Sequence, residues 1–420
     1  MAHGDNDNTK SDGELSRSIS PNMLAIYGLG TILGAGIYVV IGKIIGEAGA
    51  LAPLAFAVAA AAAAFTALSY AELGTRIPES GGSAAFVAKG FDRRWLTIIT
   101  GWALVATGLV SAATIATGFD GYLGVFVNLS KWWTIPLLVG TLTLVAVIGV
   151  KESAWFMGIT TAAGVAGLFY VLWFALPDMA NYPSQFMNAL SAGNGGGTGL
   201  ATGVLLGSFL AFYAFIGFED IVTLSEEARD QTTALPRAIF FALIVALVFY
   251  ILVAIAAVSV MEVGALDNSQ APLVDVVEAK GRSGTLVGAL SLLIIVTGAL
   301  AQIVMAARVV HDLGKRRNGA LDWLSSVSDR TGTPVIATIL GGATVTALAL
   351  FFPTETLAGW TSFIILGVFF AANAALVKLK RDGVAAGDGV RTYPIAIPIC
   401  GMIACAVLIV GQFTLGGGGH

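Results

Sequence analysis

The chain has 420 residues and a formal net charge of −4 at pH 7. Hydrophobic residues make up 56% of it and charged residues only 11%, whereas soluble domains carry about 25% charged residues. This composition excludes a soluble globular protein and makes a lipid bilayer the expected surroundings. The lysines and arginines lie at the ends of apolar segments and form no basic surface, so we predict no nucleic-acid partner.

Eleven apolar segments are each long enough to cross a bilayer, which takes about 20 residues. They follow a polar stretch, residues 1–21, that we expect to be a disordered cytoplasmic tail. The segments cover residues 23–46, 50–75, 96–127, 133–150, 154–178, 201–226, 237–262, 284–313, 334–352, 357–379 and 394–415. We therefore predict an all-α, polytopic membrane protein with about eleven transmembrane helices. Residues 416–420 look like a linker or tag remnant.

The positive charges predict the orientation of these segments. With a cytoplasmic N-terminus, only Lys43, Lys131, Lys280 and Arg282 fall outside, which leaves 18 of the 22 lysines and arginines inside. Lysine and arginine are enriched in cytoplasmic loops of membrane proteins. The sequence thus predicts a multi-pass protein of the plasma or inner membrane with its N-terminus in the cytoplasm.

Glycines interrupt two of the segments. Gly34-Ala35-Gly36 lies in the first, and Ala214-Phe215-Ile216-Gly217 lies in the sixth. A broken helix frees backbone groups that a bilayer tolerates only in a protein interior or beside a water-filled cavity. Gly34 and Gly36 point to nearly opposite sides of a helix, so one packing face cannot account for both. Two such interruptions in corresponding positions indicate a transporter's binding site.

The positions of the interruptions predict an inverted repeat. A glycine-rich extracellular loop, residues 181–200, separates two units of five segments, residues 22–180 and 201–381. Five is odd, so the second unit enters the membrane from the opposite side. We predict a five-plus-five inverted repeat with discontinuous first and sixth helices, followed by an eleventh helix within residues 382–415.

The backbone at such breaks selects a type of ligand. Each break offers free carbonyls where one half-helix ends and free N–H groups where the next begins. The helix dipoles add negative charge to the first and positive charge to the second. A zwitterion with neighbouring carboxylate and ammonium groups matches both poles. This is the main-chain part of an α-amino acid.

Several motifs resemble those of the amino acid–polyamine–organocation transporters, with a lean toward the cationic amino acid transporter branch. They are GLGTILGAGIY (28–38), ALSYAEL (67–73), RIPESGGS (76–83), AFIGFED (214–220) and LPRAI (235–239). The resemblance implies secondary amino acid transport by alternating access. It also implies substrate contacts from Ile32, Gly34, Ala35, Gly36, Tyr213, Ala214 and Ile216.

Charged residues near these motifs are candidates for gating or coupling. Glu219 follows the second interruption closely, and acids inside a membrane are costly and usually functional. Four further charges lie at the predicted cytoplasmic face, where breakable ion pairs could close a gate. These are Arg76, Glu226, Glu227 and Arg308.

One departure from the family affects coupling. Many relatives carry a lysine in the fifth segment whose ammonium can replace a sodium ion, but this chain reads Ala-Ala-Gly-Val around Gly164. From residue 286 to 308 the eighth segment offers only Ser291 and Thr297 as hydroxyl ligands. Exchange or facilitated diffusion is therefore the expected mode, with Glu219 as a candidate proton site.

Other functions remain open alternatives. A polyamine or another organic cation could be the substrate, although a polyamine lacks a carboxylate and usually needs acidic pocket residues. A non-transporting amino acid sensor would share the same site. A channel would show a charge ring or filter loop, and an enzyme would need a polar catalytic cluster. The sequence shows neither, and we predict no cofactor and no metal site.

Overall fold

The computed structural model describes residues 20–77, 82–149, 154–192, 198–223, 231–315, 322–328, 331–387 and 389–416. Within these ranges the chain folds into helices and short connections, without a β-strand. The helices are α1 (Pro21–Ile32), α2 (Ala35–Ala48), α3 (Ala52–Arg76), α4 (Gly82–Phe91), α5 (Arg94–Leu123), α6 (Lys131–Ile148), α7 (Ala154–Met179), α8 (Tyr182–Ala192), α9 (Thr198–Ala214), α10 (Phe218–Thr223), α11 (Gln231–Val260), α12 (Val263–Asn268), α13 (Pro272–Ala279), α14 (Thr285–Lys315), α15 (Asp322–Ser325), α16 (Val335–Phe351), α17 (Thr354–Arg381) and α18 (Ala396–Leu415). The all-α prediction is confirmed.

Nine helical stretches within the described ranges are long and apolar enough to cross a membrane. One of them, Pro21–Arg76, is 56 residues long and contains the first two predicted segments. The ninth predicted segment corresponds to α16, which at 17 residues is shorter than the other spans. The prediction of a polytopic membrane protein is confirmed, while the exact number of eleven crossings stays a prediction.

Two of the predicted segments are interrupted where the glycines indicated. α1 ends at Ile32 and α2 begins at Ala35, so Leu33 and Gly34 form what we call the first break. α9 ends at Ala214 and α10 begins at Phe218, and the turn between them, residues 215–217, is the second break. Gly217 has a φ of +129°, a conformation that residues with a side chain rarely adopt.

The interrupted helices lie in the middle of the bundle. α2 packs against α9, α1 packs against α11, and α5 packs against α14. Small residues permit these close approaches, as is usual between membrane helices. An ideal Cβ on Gly118 of α5 would lie only 2.3 Å from Cγ2 of Val39 on α2. The bundle therefore has no space between α2 and α5 at this depth.

Two short helices that the sequence did not indicate, α12 and α13, form a cap over one end of the bundle. We call residues 263–280 the outer cap. Gly42 of α2 and Gly121 of α5 touch its backbone, since an ideal Cβ on either would lie 2.4 and 2.2 Å from a cap carbonyl oxygen. Lys43 Nζ lies 3.0 Å from Asp267 Oδ1 of the cap. The outer cap thus closes the end that the charges predict to be extracellular.

The predicted glycine-rich loop, residues 181–200, contains a helix. α8 occupies Tyr182–Ala192, and the phenol of Tyr182 donates a hydrogen bond to Ala50 O at 3.1 Å. Burial of this ring raises the pKa of Tyr182 to about 12. Residues 193–197, which include most of the glycines, lie outside the described ranges. The division into two repeats stays a prediction.

Candidate functional site

A cavity lies between the two breaks. The space free of protein atoms, including solvent at its open mouth, is about 790 Å³. All seven residues predicted to contact substrate line it, namely Ile32, Gly34, Ala35, Gly36, Tyr213, Ala214 and Ile216. The remaining walls come from α1, α5, α7, α10 and α14. The structure therefore brings the predicted residues together around one space.

The two interrupted helices touch each other beside their breaks. An ideal Cβ on Gly36 would lie 3.1 Å from the Cα atom of Ala214. On the other side, an ideal Cβ on Gly217 would lie 2.8 Å from the carbonyl of Thr31, whose hydroxyl donates to Gly217 O at 3.1 Å. Gly217 requires glycine because of its positive φ and these short backbone contacts, and a side chain at Gly36 would press against Ala214.

Tyr250 of α11 joins the carbonyl ends of the two interrupted helices. Its Oη atom lies 2.5 Å from Ile32 O and 2.7 Å from Ala214 O, which belong to the last residues of α1 and α9. The last carbonyls of a helix have no partner within that helix. A phenol has one proton to donate, so one of the two carbonyls keeps capacity for another donor.

Sequence reasoning missed Tyr250. It is the only tyrosine in the predicted segment 237–262, which between Arg237 and Ser259 is otherwise apolar. A single polar group in such a run needs a partner inside the protein. A lone tyrosine in an apolar segment therefore indicates a buried hydrogen bond, but the sequence does not show which group accepts it.

Several polar side chains line the cavity beside the breaks and beyond them. Tyr213 Oη lies 3.3 Å from Ser111 Oγ. Thr160 and Thr161 come from the first turns of α7, and Gln302 lies beyond Gly298 on α14. In the predicted orientation these three residues are on the cytoplasmic side of the breaks. The cavity thus extends from the breaks toward that end of the bundle.

Gly164, at the position where the family resemblance implies a lysine, lies against Ile294. An ideal Cβ on Gly164 of α7 would lie 2.4 Å from Cδ1 of Ile294 on α14, and the carbonyl of Gly164 accepts a hydrogen bond from Tyr38. A longer side chain at residue 164 would have to displace Ile294. Because Cδ1 is the end of a flexible side chain, a shift of Ile294 would make room for a larger residue there.

Glu219 and Asp220 have different surroundings. A Glu219 carboxylate oxygen (Oε2) accepts a hydrogen bond from Gly217 N at 2.9 Å, so this side chain braces the second break. Asp220 lines the cavity. Asp220 is the only acidic residue among the described residues that line the cavity.

Arg76 is part of a buried charge cluster that the sequence did not reveal. Glu72 Oε1 lies 2.7 Å from Arg76 Nη2 and 2.6 Å from Lys380 Nζ, and the Glu72 side chain is 0% exposed. Its other oxygen accepts from Tyr393 N at 2.9 Å. The cluster ties the end of α3 to the end of α17 and to the chain that leads into α18. We call Glu72, Arg76 and Lys380 the Glu72 cluster.

The structure tests only part of the proposed gate around Arg76. Glu226 and Glu227 lie outside the described residues. Arg308 is exposed on α14, and the ion pairs among the described residues do not include it. A gate built from these four charges stays a prediction.

Comparisons with known proteins agree with the architecture. A profile described as amino acid permease matches residues 22–419. An uncharacterized transporter of Mycobacterium tuberculosis is 31% identical over 405 residues, covering 94% of this chain and 86% of the relative. A vacuolar cationic amino acid transporter of Arabidopsis thaliana is 28% identical, covering 91% and 67%. A branched-chain amino acid permease of Bacillus subtilis is 25% identical, covering 89% and 83%. The family and these relatives are transporters and not enzymes.

Proposed function

Because this chain belongs to the amino acid permease family, we propose that it is a secondary transporter that carries amino acids across the membrane by alternating access. The observation that supports this most directly is the contact between the two breaks beside a cavity lined by their backbones. Binding sites of secondary transporters are typically built from discontinuous helices near the midplane. The family match and the cavity therefore lead to the same activity.

The breaks suggest how the main-chain part of an amino acid binds. The first N–H groups of α2, beginning at Ala35, have no partner within the helix and lie at its positive end. They are the proposed partners of the carboxylate. The carbonyls of Ile32 and Ala214 are the proposed partners of the ammonium group, because they lie together at the negative ends of α1 and α9.

The cavity and the outer cap together support an inward-facing state. The cavity extends toward the predicted cytoplasmic end, while the outer cap rests on α2 and α5 at the other. Alternating access requires the outer cap to lift when the cytoplasmic side closes. The ion pair between Lys43 and Asp267 has side chains 23% and 39% exposed, so it can be broken and remade in water.

We expect Asp267→Asn to favour the outward-open state, because it removes the charge that attracts Lys43. The measurement is the rate at which a membrane-impermeant thiol reagent labels Ser111→Cys from outside, in a background without Cys400 and Cys405. The labelling rate should rise severalfold, in line with the roughly 1 kcal/mol of an exposed ion pair. The matched control, Asp382→Asn, breaks the Lys378 pair at the opposite end and should leave the rate unchanged; an equal rise there would contradict the proposal.

The proposed mode of transport takes account of the missing lysine at residue 164. The glycine at residue 164, where the family resemblance implies a lysine, supports transport by exchange or facilitated diffusion. Glu219 is the proposed proton site if uptake follows a proton gradient, because it is an acid at the second break. A polyamine is a weaker candidate substrate, since Asp220 is the one carboxylate among the described lining residues.

The test of the function is counterflow into liposomes. Proteoliposomes loaded with unlabelled substrate are offered labelled leucine, alanine, lysine, arginine and putrescine, with and without proton and sodium gradients. We expect accumulation of at least one amino acid and none of putrescine. Accumulation of putrescine alone would support the organic-cation alternative, and binding of an amino acid without counterflow would support a sensor.

We expect Tyr250→Phe to weaken substrate binding while leaving the fold intact. The ring would keep its contacts with Phe56 and Phe215, at centroid distances of 5.5 and 5.0 Å. The two carbonyls would no longer be held side by side by their shared donor, so the proposed ammonium site would lose its geometry and the KM should rise severalfold. Tyr122→Phe removes a similarly buried hydroxyl that donates to Tyr38 O, away from the breaks, and should leave KM near the wild-type value. An unchanged KM for Tyr250→Phe would overturn its assignment to the site.

A further inference from the structure

A second pocket lies where α4, α5 and α14 meet at the predicted cytoplasmic end. The space free of protein atoms, including solvent at its open mouth, is about 620 Å³. Its walls are Ala88, Asp92, Arg93, Arg94, Thr97, Ile98 and Leu313. The pocket is separate from the cavity between the breaks, since the two share no lining residue.

The pocket lies at the level where the membrane begins. Trp95, Ile99 and Trp102 of α5 are 60%, 58% and 36% exposed, and their spacing of four and three residues places them on one face of the helix. An exposed apolar face on a membrane-spanning helix is covered by lipid tails. Tryptophan is enriched at the boundary between tails and headgroups. Arg93 and Arg94, which come just before this face, are therefore at headgroup depth.

The charges in the pocket suit a phosphate. Arg93 and Arg94 are both exposed to solvent, and guanidinium groups bind phosphate oxygens in pairs of hydrogen bonds. Lys89 is exposed one turn away on α4. Asp92 is the one carboxylate among the described lining residues, and it reduces the positive charge without cancelling it.

The uncharged walls suit the part of a lipid that follows its phosphate. Ala88, Ile98 and Leu313 are apolar, and Leu313 is buried against Gly101 of α5. A soluble phosphate would gain nothing from these side chains, whereas a glycerol backbone and the first acyl carbons would bury apolar surface there. Basic pockets between membrane helices are suited to anionic headgroups.

From this arrangement we propose that the pocket binds the phosphate headgroup of an anionic phospholipid from the leaflet at this end, with Arg93 and Arg94 as its phosphate ligands. The predicted orientation makes this the cytoplasmic leaflet. The site does not depend on the proposed transport activity, because its residues belong to a different surface of the bundle.

The test is lipid binding by the purified full-length protein in detergent. Dioleoyl phosphatidylglycerol or dioleoyl phosphatidylcholine is titrated in, and bound lipid is followed by native mass spectrometry together with the midpoint of thermal unfolding. Phosphatidylglycerol should be retained and should raise the midpoint, whereas phosphatidylcholine should do neither. The variant Arg93→Gln/Arg94→Gln should bind phosphatidylglycerol about thirty-fold more weakly, from the loss of two arginines at headgroup depth.

Two further variants make the result specific. Arg381→Gln/Arg391→Gln removes two exposed arginines that do not line the pocket and should bind like wild type. Asp92→Asn should bind more tightly, and asparagine tolerates the positive φ of 49° at this residue. Equal loss in both arginine pairs would overturn the site. A midpoint raised by inorganic phosphate alone, and lost in Arg93→Gln/Arg94→Gln, would identify a soluble anion and overturn the lipid assignment.

Discussion

Replacing Gly36 with leucine is expected to abolish amino acid uptake while leaving a folded protein in the membrane. A Cβ at this position already lies 3.1 Å from Ala214 Cα and 3.7 Å from a ring carbon of Tyr213. The rest of a leucine side chain would enter the cavity or separate the two breaks. In either case the backbone groups proposed to hold the substrate lose their spacing. Uptake into proteoliposomes should fall to the level of empty liposomes.

The matched control for this substitution is Gly140→Leu. Gly140 lies on the exposed face of α6, and an ideal Cβ there has no atom within 4 Å. This variant adds the same side chain to a membrane helix and should transport normally. Both variants should elute as single species in size-exclusion chromatography. Normal uptake by a folded Gly36→Leu variant would count heavily against the site between the breaks.

The largest loss of stability is expected from Glu72→Gln. The glutamate is the shared counter-ion of Arg76 and Lys380, whose side chains are 9% and 11% exposed. The amide would leave two buried cations with no carboxylate, and removing one partner of a buried ion pair costs about 3–5 kcal/mol. The midpoint of thermal unfolding in detergent should drop by several degrees or more.

Two comparisons separate this effect from a general loss of surface charge. Asp382→Asn breaks an exposed pair with Lys378, whose side chains are 50% and 43% exposed, and should change the midpoint little, because such pairs contribute at most about 1 kcal/mol. Adding Lys380→Met to Glu72→Gln should recover part of the loss, since it removes one of the stranded cations. A midpoint for Glu72→Gln within the error of wild type would show that the Glu72 cluster does not hold α3 and α17 together.

The helices and the breaks could be anticipated because their signals are local. A run of about 20 apolar residues has few alternatives to a membrane helix, and each predicted segment coincides with a helix or a pair of helices. The glycines at 34, 36 and 217 marked the breaks because backbone departures from helical geometry favour glycine. The seven predicted substrate residues followed from the family resemblance and all lie within three residues of a break, but only the packing of the two interrupted helices brings them to one cavity.

The missed features depend on partners far away in the chain. Tyr250 meets Ile32, which is 218 residues away, and Glu72 meets Lys380 on another helix. The pairing of Arg76 with Glu72, one helical turn away, was not anticipated either; a gate formed by Arg76, Glu226, Glu227 and Arg308 stays a prediction. The outer cap was also missed, because α12 and α13 are too short to show a clear period.

By itself, the sequence determined that the protein is a helical membrane protein with two interrupted helices, because hydrophobic runs and glycines act on the chain within a few residues. Only the tertiary structure decided which groups complete the site: Tyr250 on the two carbonyl ends, Ile294 over Gly164, and the outer cap on Gly42 and Gly121. These contacts follow from how the helices pack against each other. Packing is set by the shapes of facing side chains across the bundle, which no short stretch of sequence contains.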